Sequence, residues 1–402
     1  MRGYFELTAP ERFAQRTRNL APEGAYQVLA RAQALEAAGR DIIHFEIGQP
    51  DFDTFPNIAE AGRQAIANGF TRYTAPAGMP ALREAIAEDA GRRRGLHFDA
   101  AQVVVSPGAK PNLFFAALAL IEPGDEVLYP DPGFPTYRAM IEVAGGRPVP
   151  VPLEEENDFS LDIRAFDRLI NDRTRLIVLN SPGNPTGGIV PRADLEHISA
   201  AAAKHDCWVL SDEIYAGLVY DGASAPSISA LPGMLERTII VDGFSKTYGM
   251  TGWRLGYGIM PVPLAKKMDL LLTHSVGSTA HFTQIAGIEA LTGPQEQAAG
   301  MVHEYQQRRD MIVEGLRSIP GVTCRKPAGA FYVFPNVRAF GRRSAEVTDH
   351  LLDDGGVAVL PGSAFGEHGE GYLRLSYATS SELIAAGLER MRKSLGKLQI
   401  QA

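Results

Sequence analysis

Four short segments hold most of the polar side chains that could do chemistry, and each follows an apolar run. The first, Ser106-Pro-Gly-Ala-Lys110, is a loop of small residues between the apolar positions 103–105 and a second apolar stretch from about residue 112. Gly108 and Ala109 would let backbone N–H groups at a helix N-terminus close around a phosphate dianion, although glycine in such a turn also serves plain geometry. The second, NSPGNPTGG at 180–188, crowds turn formers at a strand end and leaves Asn184 as its most useful side-chain donor; a rigid turn is the plainer reading. The third, Ser211-Asp212-Glu213-Ile214-Tyr215, sets a carboxylate and a phenol just past the apolar 207–210. Asp212 could face a cleft or simply cap a helix. The fourth, GFSKTYGMTGWRLGYG at 243–258, places Lys246 and, eight residues later, Arg254 among glycines and small polar residues.

The elements that must position these groups alternate. Short β-rich runs at 103–105, 126–129, 176–180, 207–211 and 238–241 are interleaved with helical stretches at 112–121, 137–143 and 192–205. That rhythm predicts an α/β chain with a mostly parallel sheet between helices, in which ligands sit at the carboxyl ends of the strands. After about residue 290 the pattern changes to a long charged helix over 295–318, a strand-like 330–333 and helices over 344–352 and 381–395. We therefore expect a large domain over 46–289, and a smaller α+β domain formed by 290–402 together with an N-terminal arm, 1–45. The arm carries an amphipathic stretch, 25–38, with Gly39 placed as a C-cap. The basic triplet Arg92–Arg94 reads as a solvated helix end that complements the dipole.

Composition narrows the class. The 402 residues carry 39 Lys and Arg against 47 Asp and Glu, a net charge of −8, which argues against a nucleic-acid binder. The longest apolar run, 113–121, is far short of the ~18 residues of a membrane span. The opening MRGYFELTAPERFAQR lacks the apolar block of a secretory signal, so the expected location is cytoplasmic. Cys207 and Cys324 form no CxxC pair, which leaves no cysteine-built metal site to expect. Dinucleotide, Walker A and HExxH signatures are also missing.

In order, the segments resemble the class I and II aminotransferases, the pyridoxal-phosphate enzymes of fold type I, and bacterial aspartate aminotransferases in particular. The similarity runs from IGQPDFDT at 47–54 through TRYTAPAGMPALREAI at 71–86, DPGFPTY at 131–137, NPTG, SDEIY and SKTYGMTGWRLGY to LRLSYA at 373–378. It implies a large domain with a seven-stranded sheet, pyridoxal 5'-phosphate as cofactor, and a homodimer with shared active sites. Lys246 is implied as the Schiff-base and catalytic lysine, its amine kept neutral by burial and by Arg254. Asp212 would pair with the pyridine nitrogen, Tyr215 and Asn184 would reach the cofactor's phenolic oxygen, and Phe134 would stack on its ring. Arg254 would hold the phosphate with Gly108, Ala109, Lys110 and Ser245, while Tyr73 would reach the phosphate of the neighbouring subunit. Arg374 would clamp the substrate α-carboxylate through its planar fork, with Asn184 and the Gly48 backbone beside it.

Three positions depart from the common pattern: Gly243 where many relatives have serine, Phe134 for Trp or Tyr, and Glu23-Gly24 for Ser-Gly. The implied reaction is ping-pong transamination from an L-amino acid to a 2-oxo acid, with aspartate and 2-oxoglutarate as the leading pair. Alanine or aromatic donors, and a β-lyase on the same scaffold, are the alternatives. No second arginine for a dicarboxylate is evident in the sequence. A regulatory protein with an attached DNA-binding module fits poorly, because only about 45 residues precede the first motif and the charge is acidic.

Overall fold

The computed structural model describes residues 13–18, 20 and 22–398; most of the opening segment, residues 1–12, lies outside them. The chain begins with the short helix α1 (Gln15–Arg18) and α2 (Gly24–Ala37), followed by strand β1 (Ile43–His44). Gly39 follows α2 in the left-handed region at φ 86°, as a glycine stop requires. Helices α3 (Pro56–Ala67) and α4 (Pro80–Arg94) each start on proline at the first turn, where its missing N–H costs nothing.

A run of strands and helices then builds the main sheet: β2 (Val103–Ser106), α5 (Lys110–Leu120), β3 (Glu126–Asp131), α6 (Thr136–Ala144), β4 (Arg147–Glu154), β5 (Ser160–Leu161), α7 (Ile163–Leu169), β6 (Thr174–Asn180), α8 (Arg192–Lys204), β7 (Trp208–Asp212), β8 (Thr238–Gly243) and β9 (Gly256–Ile259). Its order is β2-β9-β8-β7-β6-β3-β4-β5. Strands β4, β3, β6, β7 and β8 run parallel, and β9 lies antiparallel between β8 and β2. The seven strands implied by the family pattern are thus extended at one edge by the two-residue β5, an antiparallel return on β4.

In the main sheet β4, β5 and β9 fall outside the β-rich runs legible in the sequence. In β4 every second residue is proline, Pro148, Pro150 and Pro152, so the missing N–H groups share one side. That side faces away from β3, as the Pro152 carbonyl shows by accepting from Asp162 rather than from the sheet; proline is tolerated at such an edge. In β9 the glycines hide the pattern. A Cβ on Gly256 would stand 2.3 Å from the Ala109 nitrogen, so glycine is what lets β9 pass directly behind the loop after β2.

The remainder comprises α9 (Val262–Thr273), α10 (His281–Thr292), α11 (Glu296–Arg317), β10 (Tyr332–Val333), α12 (Ser344–Asp353), β11 (Val357–Ala358), β12 (Leu360–Pro361), β13 (Leu373–Ser376) and α13 (Ser381–Leu395). β10, β13 and β12 form a small antiparallel sheet, and β1 pairs in parallel with β11, joining the start of the chain to its end. Buried side chains from both regions meet in one cluster that includes Phe45, Tyr215, Phe244, Tyr305, Phe331, Leu375 and Leu388. No helix among the described residues is long and apolar enough to cross a membrane.

Candidate active site

The strand ends do converge. A cleft of about 580 Å³ opens at the carboxyl ends of β6, β7 and β8, lined among others by Asn184, Asp212, Tyr215, Ser245, Lys246, Arg254 and Arg374. Gly48, Ala109, Lys110 and Phe134 line it as well. Tyr73 does not; it stands 97% exposed on the surface.

Lys246 follows β8 and points across the cleft, its Nζ donating to the Gly48 carbonyl at 2.7 Å. Burial, reinforced by the positive charges of Arg374, Arg254 and Lys110, pulls the amine down to about 8. The neutral form that a nucleophilic or proton-moving lysine needs is thereby close at hand near neutral pH. Arg374 repels this amine more strongly than Arg254, the one cation that the sequence suggests for the part. Gly48 shows its carbonyl to Lys246, and a side chain there would collide with the Tyr332 hydroxyl at 2.1 Å, which accounts for the glycine.

Asp212 closes β7 and is buried. Its Oδ2 accepts from the Tyr137 hydroxyl at 2.8 Å and its Oδ1 from the Ile214 N–H at 3.3 Å. Burial nevertheless pushes the acid up to about 6, with the Asp242 and Glu213 charges adding to the rise. A carboxylate so poorly compensated suits a cationic partner in the cleft. Tyr137 ends the segment DPGFPTY, and nothing in that segment's own residues assigns it this task.

The opposite wall comes from the small sheet. Arg374 on β13 is buried, donates to Asn184 Oδ1 at 3.3 Å and to the Glu46 carbonyl, and lies 4.6 Å from the Tyr332 ring centroid. Its Nε is buried with no partner among the described residues. Tyr332 on β10 also shares a hydrogen bond of 2.8 Å with the Tyr215 hydroxyl. Sequence reasoning misses it because AFYVFP reads as an apolar strand, and only pairing with β13 turns its hydroxyl into the cleft.

The loop after β2 sits against Arg254. Gly108 has φ 88°, and a Cβ there would lie 2.1 Å from the Arg254 guanidinium. Arg254 itself is held at φ 53° and donates to the Thr251 carbonyl at 2.8 Å, a strained backbone that aims its side chain at the loop. Ser245, just before the lysine, is buried on the same cleft. Lys110 departs from expectation: its ammonium is engaged by Glu23 at 2.6 Å and lies 5.0 Å from the Phe134 ring centroid, so its side chain belongs to the mouth of the cleft and not to the phosphate loop. Gly243 has little room for a side chain, since a Cβ there would stand 3.1 Å from Gly256 Cα and 3.2 Å from the Leu255 carbonyl.

The basic triplet also departs from expectation. Arg92 is solvated, but Arg94 is 5% exposed and pairs with Glu213 at 2.7 Å and Asp242 at 3.3 Å. Arg93 bridges Asp89 and Asp242 and donates to Tyr257 at 2.8 Å. The end of α4 therefore pins the tips of β7 and β8 from behind the cleft, because two buried acids there require countercharge. Among the described residues no cluster of His, Cys, Asp or Glu is arranged to hold a metal ion.

Comparison with known proteins agrees with this geometry. The family model for aminotransferase class I and II matches residues 40–391. The aspartate aminotransferase of Pyrococcus horikoshii is 41% identical over 372 residues, 92% of this chain and 93% of that protein. An aspartate aminotransferase from Thermus thermophilus, solved with maleate, superposes with a TM-score of 0.90 at 37% identity over 98% of this chain and 100% of that one. An aromatic aminotransferase from Pyrococcus horikoshii gives 0.87 at 39% identity, over 91% and 99%. With its strand-end lysine, its buried carboxylate and its matching length, the chain belongs to the class I and II aminotransferases and is an enzyme that transfers amino groups.

Proposed function

We propose that the enzyme binds pyridoxal 5'-phosphate and moves the amino group of an L-amino acid, with aspartate as the leading donor, to a 2-oxo acid, with 2-oxoglutarate as the leading acceptor. The observation that carries this reading is the juxtaposition of Lys246, with its lowered amine, and Asp212, with its raised acid, in one cleft. The residues present fit the cofactor on three counts. Gly108, Ala109, Ser245 and Arg254 form a cradle in which a side chain at Gly108 would collide with the Arg254 guanidinium, the group that would hold the phosphate. Among the described residues the Asp212 carboxylate is bonded to Tyr137 and the Ile214 N–H and to no cationic side chain, and a protonated ring nitrogen would supply that partner. Tyr215, Asn184 and Phe134 line the same cleft; the first two would reach the phenolic oxygen and Phe134 would stack on the ring.

When bound, the cofactor supplies the electron sink that stabilises negative charge at the substrate α-carbon. The chain's own part is positioning and proton transfer. Arg374, with an unpartnered buried Nε and a fork held by Tyr332 and Asn184, is set to take the α-carboxylate in bidentate fashion. That clamp orients the α-carbon toward Lys246, whose neutral amine takes the α-proton and returns it one position away, which is general acid–base catalysis by one group. Tyr137 and Asp212 together hold the charge opposite.

The same reading makes the working unit a homodimer, with Tyr73 entering the partner's phosphate site. Its 97% exposure and the half-exposed Ile66 and Val276 on one groove support a covered face. The relatives named for aspartate and for aromatic donors support both substrate classes. Transamination is tested against a β-lyase by product: with aspartate and 2-oxoglutarate the expected products are oxaloacetate and glutamate without ammonia. Ammonia released in the absence of any acceptor would overturn the transaminase reading.

A further inference from the structure

Among the described residues, four cationic side chains line the cleft, Lys110, Lys246, Arg254 and Arg374. On the reading above, three have tasks: Lys246 moves protons, Arg254 faces the phosphate and Arg374 takes the α-carboxylate. Of these four, Lys110 is left to meet a second acidic group on a substrate, and it is already engaged. Its ammonium is 2.6 Å from Glu23 Oε1, the pair 44% and 30% exposed, at the end of the cleft formed by Tyr26, Leu29 and Phe134. Glu23 is the residue just before α2, so the N-terminal arm carries this carboxylate into the mouth of the site. Its charge is felt as far as Arg374, where it offsets part of the effect of burial.

We propose that Glu23 is a specificity-determining residue: its carboxylate occupies, on Lys110, the place that the distal carboxylate of an acidic substrate needs. A dicarboxylic substrate must displace Glu23 and then lie beside it as a like charge. An apolar or aromatic side chain leaves the pair intact and packs on Tyr26, Leu29 and Phe134. The pair thereby narrows the preference for acidic over uncharged substrates, and the class accepted includes both. This inference rests on the proposed placing of the α-carboxylate at Arg374.

Its test is binding, not turnover. The cofactor-loaded enzyme, its Glu23→Gln variant and its Lys110→Met variant are titrated calorimetrically with succinate and with butyrate, which differ by one carboxylate. Breaking a half-exposed ion pair and removing one like charge should raise the succinate-to-butyrate affinity ratio by about threefold to tenfold in Glu23→Gln, and Lys110→Met should bring it below that of the parent. An unchanged or lower ratio in Glu23→Gln would overturn the proposal, and so would an unchanged ratio in Lys110→Met. Failure of the functional reading shows elsewhere, as absence of amino transfer from every donor, because the ratio does not depend on turnover.

Discussion

The two ends of the cleft are held in different ways. At the inner end, Asp212 and Lys246 leave strands β7 and β8 whose tips are fixed by a buried charge cluster of Arg93, Arg94, Glu213 and Asp242. At the outer end, Glu23 and Lys110 meet across a half-exposed pair between the arm and α5. Buried ion pairs lose several kcal/mol when one partner is removed, whereas exposed ones are worth little. The geometry of the chemistry is thus fixed by the fold, while the choice of side chain rests on contacts that can be exchanged at small cost. An enzyme family can keep one reaction and vary its substrates if its site is divided in this way.

Arg94 carries the largest share of this contrast. Arg94→Met leaves Glu213 and Asp242 buried with less countercharge and should lower unfolding stability by about 3–5 kcal/mol, read from urea denaturation of the loaded enzyme. A loss below about 1 kcal/mol, the range of an exposed pair, would show that the cluster does not hold the strand tips.

Asp212 probes the inner end through pH. The folded protein raises this acid from 3.8 to about 6, so without cofactor it binds its proton more tightly than the unfolded chain does. Stability of the cofactor-free protein therefore falls as pH rises from about 4 to 6, and the cost is complete above that. Asp212→Asn removes the charge, and the cofactor-free variant should be more stable than the parent by about 1–3 kcal/mol at pH 7.5, with the advantage fading toward pH 4. Thermal unfolding across that range checks it, and a variant less stable at pH 7.5 would refute the account of Asp212. The smallest effect belongs to the outer end, where Glu23→Gln changes only a ratio of affinities by the few-fold already given.

What can be read in the sequence follows the same division. Asn184, Tyr215 and Lys246 each come just after a strand and Asp212 closes one, so local order places them at one sheet edge without knowledge of the rest, whereas Arg254 stands just ahead of β9. Arg374 is legible only through resemblance, since nothing local to LRLSYA says that β13 faces the cleft. Tyr332, the part played by Glu23 and the buried pose of Arg94 are not legible, because each depends on a partner far along the chain: Tyr215, Lys110 and Glu213. A triplet of arginines at a helix end looks the same in sequence whether water or two buried acids neutralise it. Likewise β4 hides behind its prolines, although their spacing of two is itself a strand period.

The mechanism turns on Lys246 being the residue to which the cofactor becomes attached. It can be tested by loading the enzyme with pyridoxal phosphate, reducing it with borohydride, digesting it and weighing the peptides. The expected result is a single labelled peptide, with the added mass on Lys246. Label on any other lysine, or no stable label while the cofactor remains bound, would contradict it.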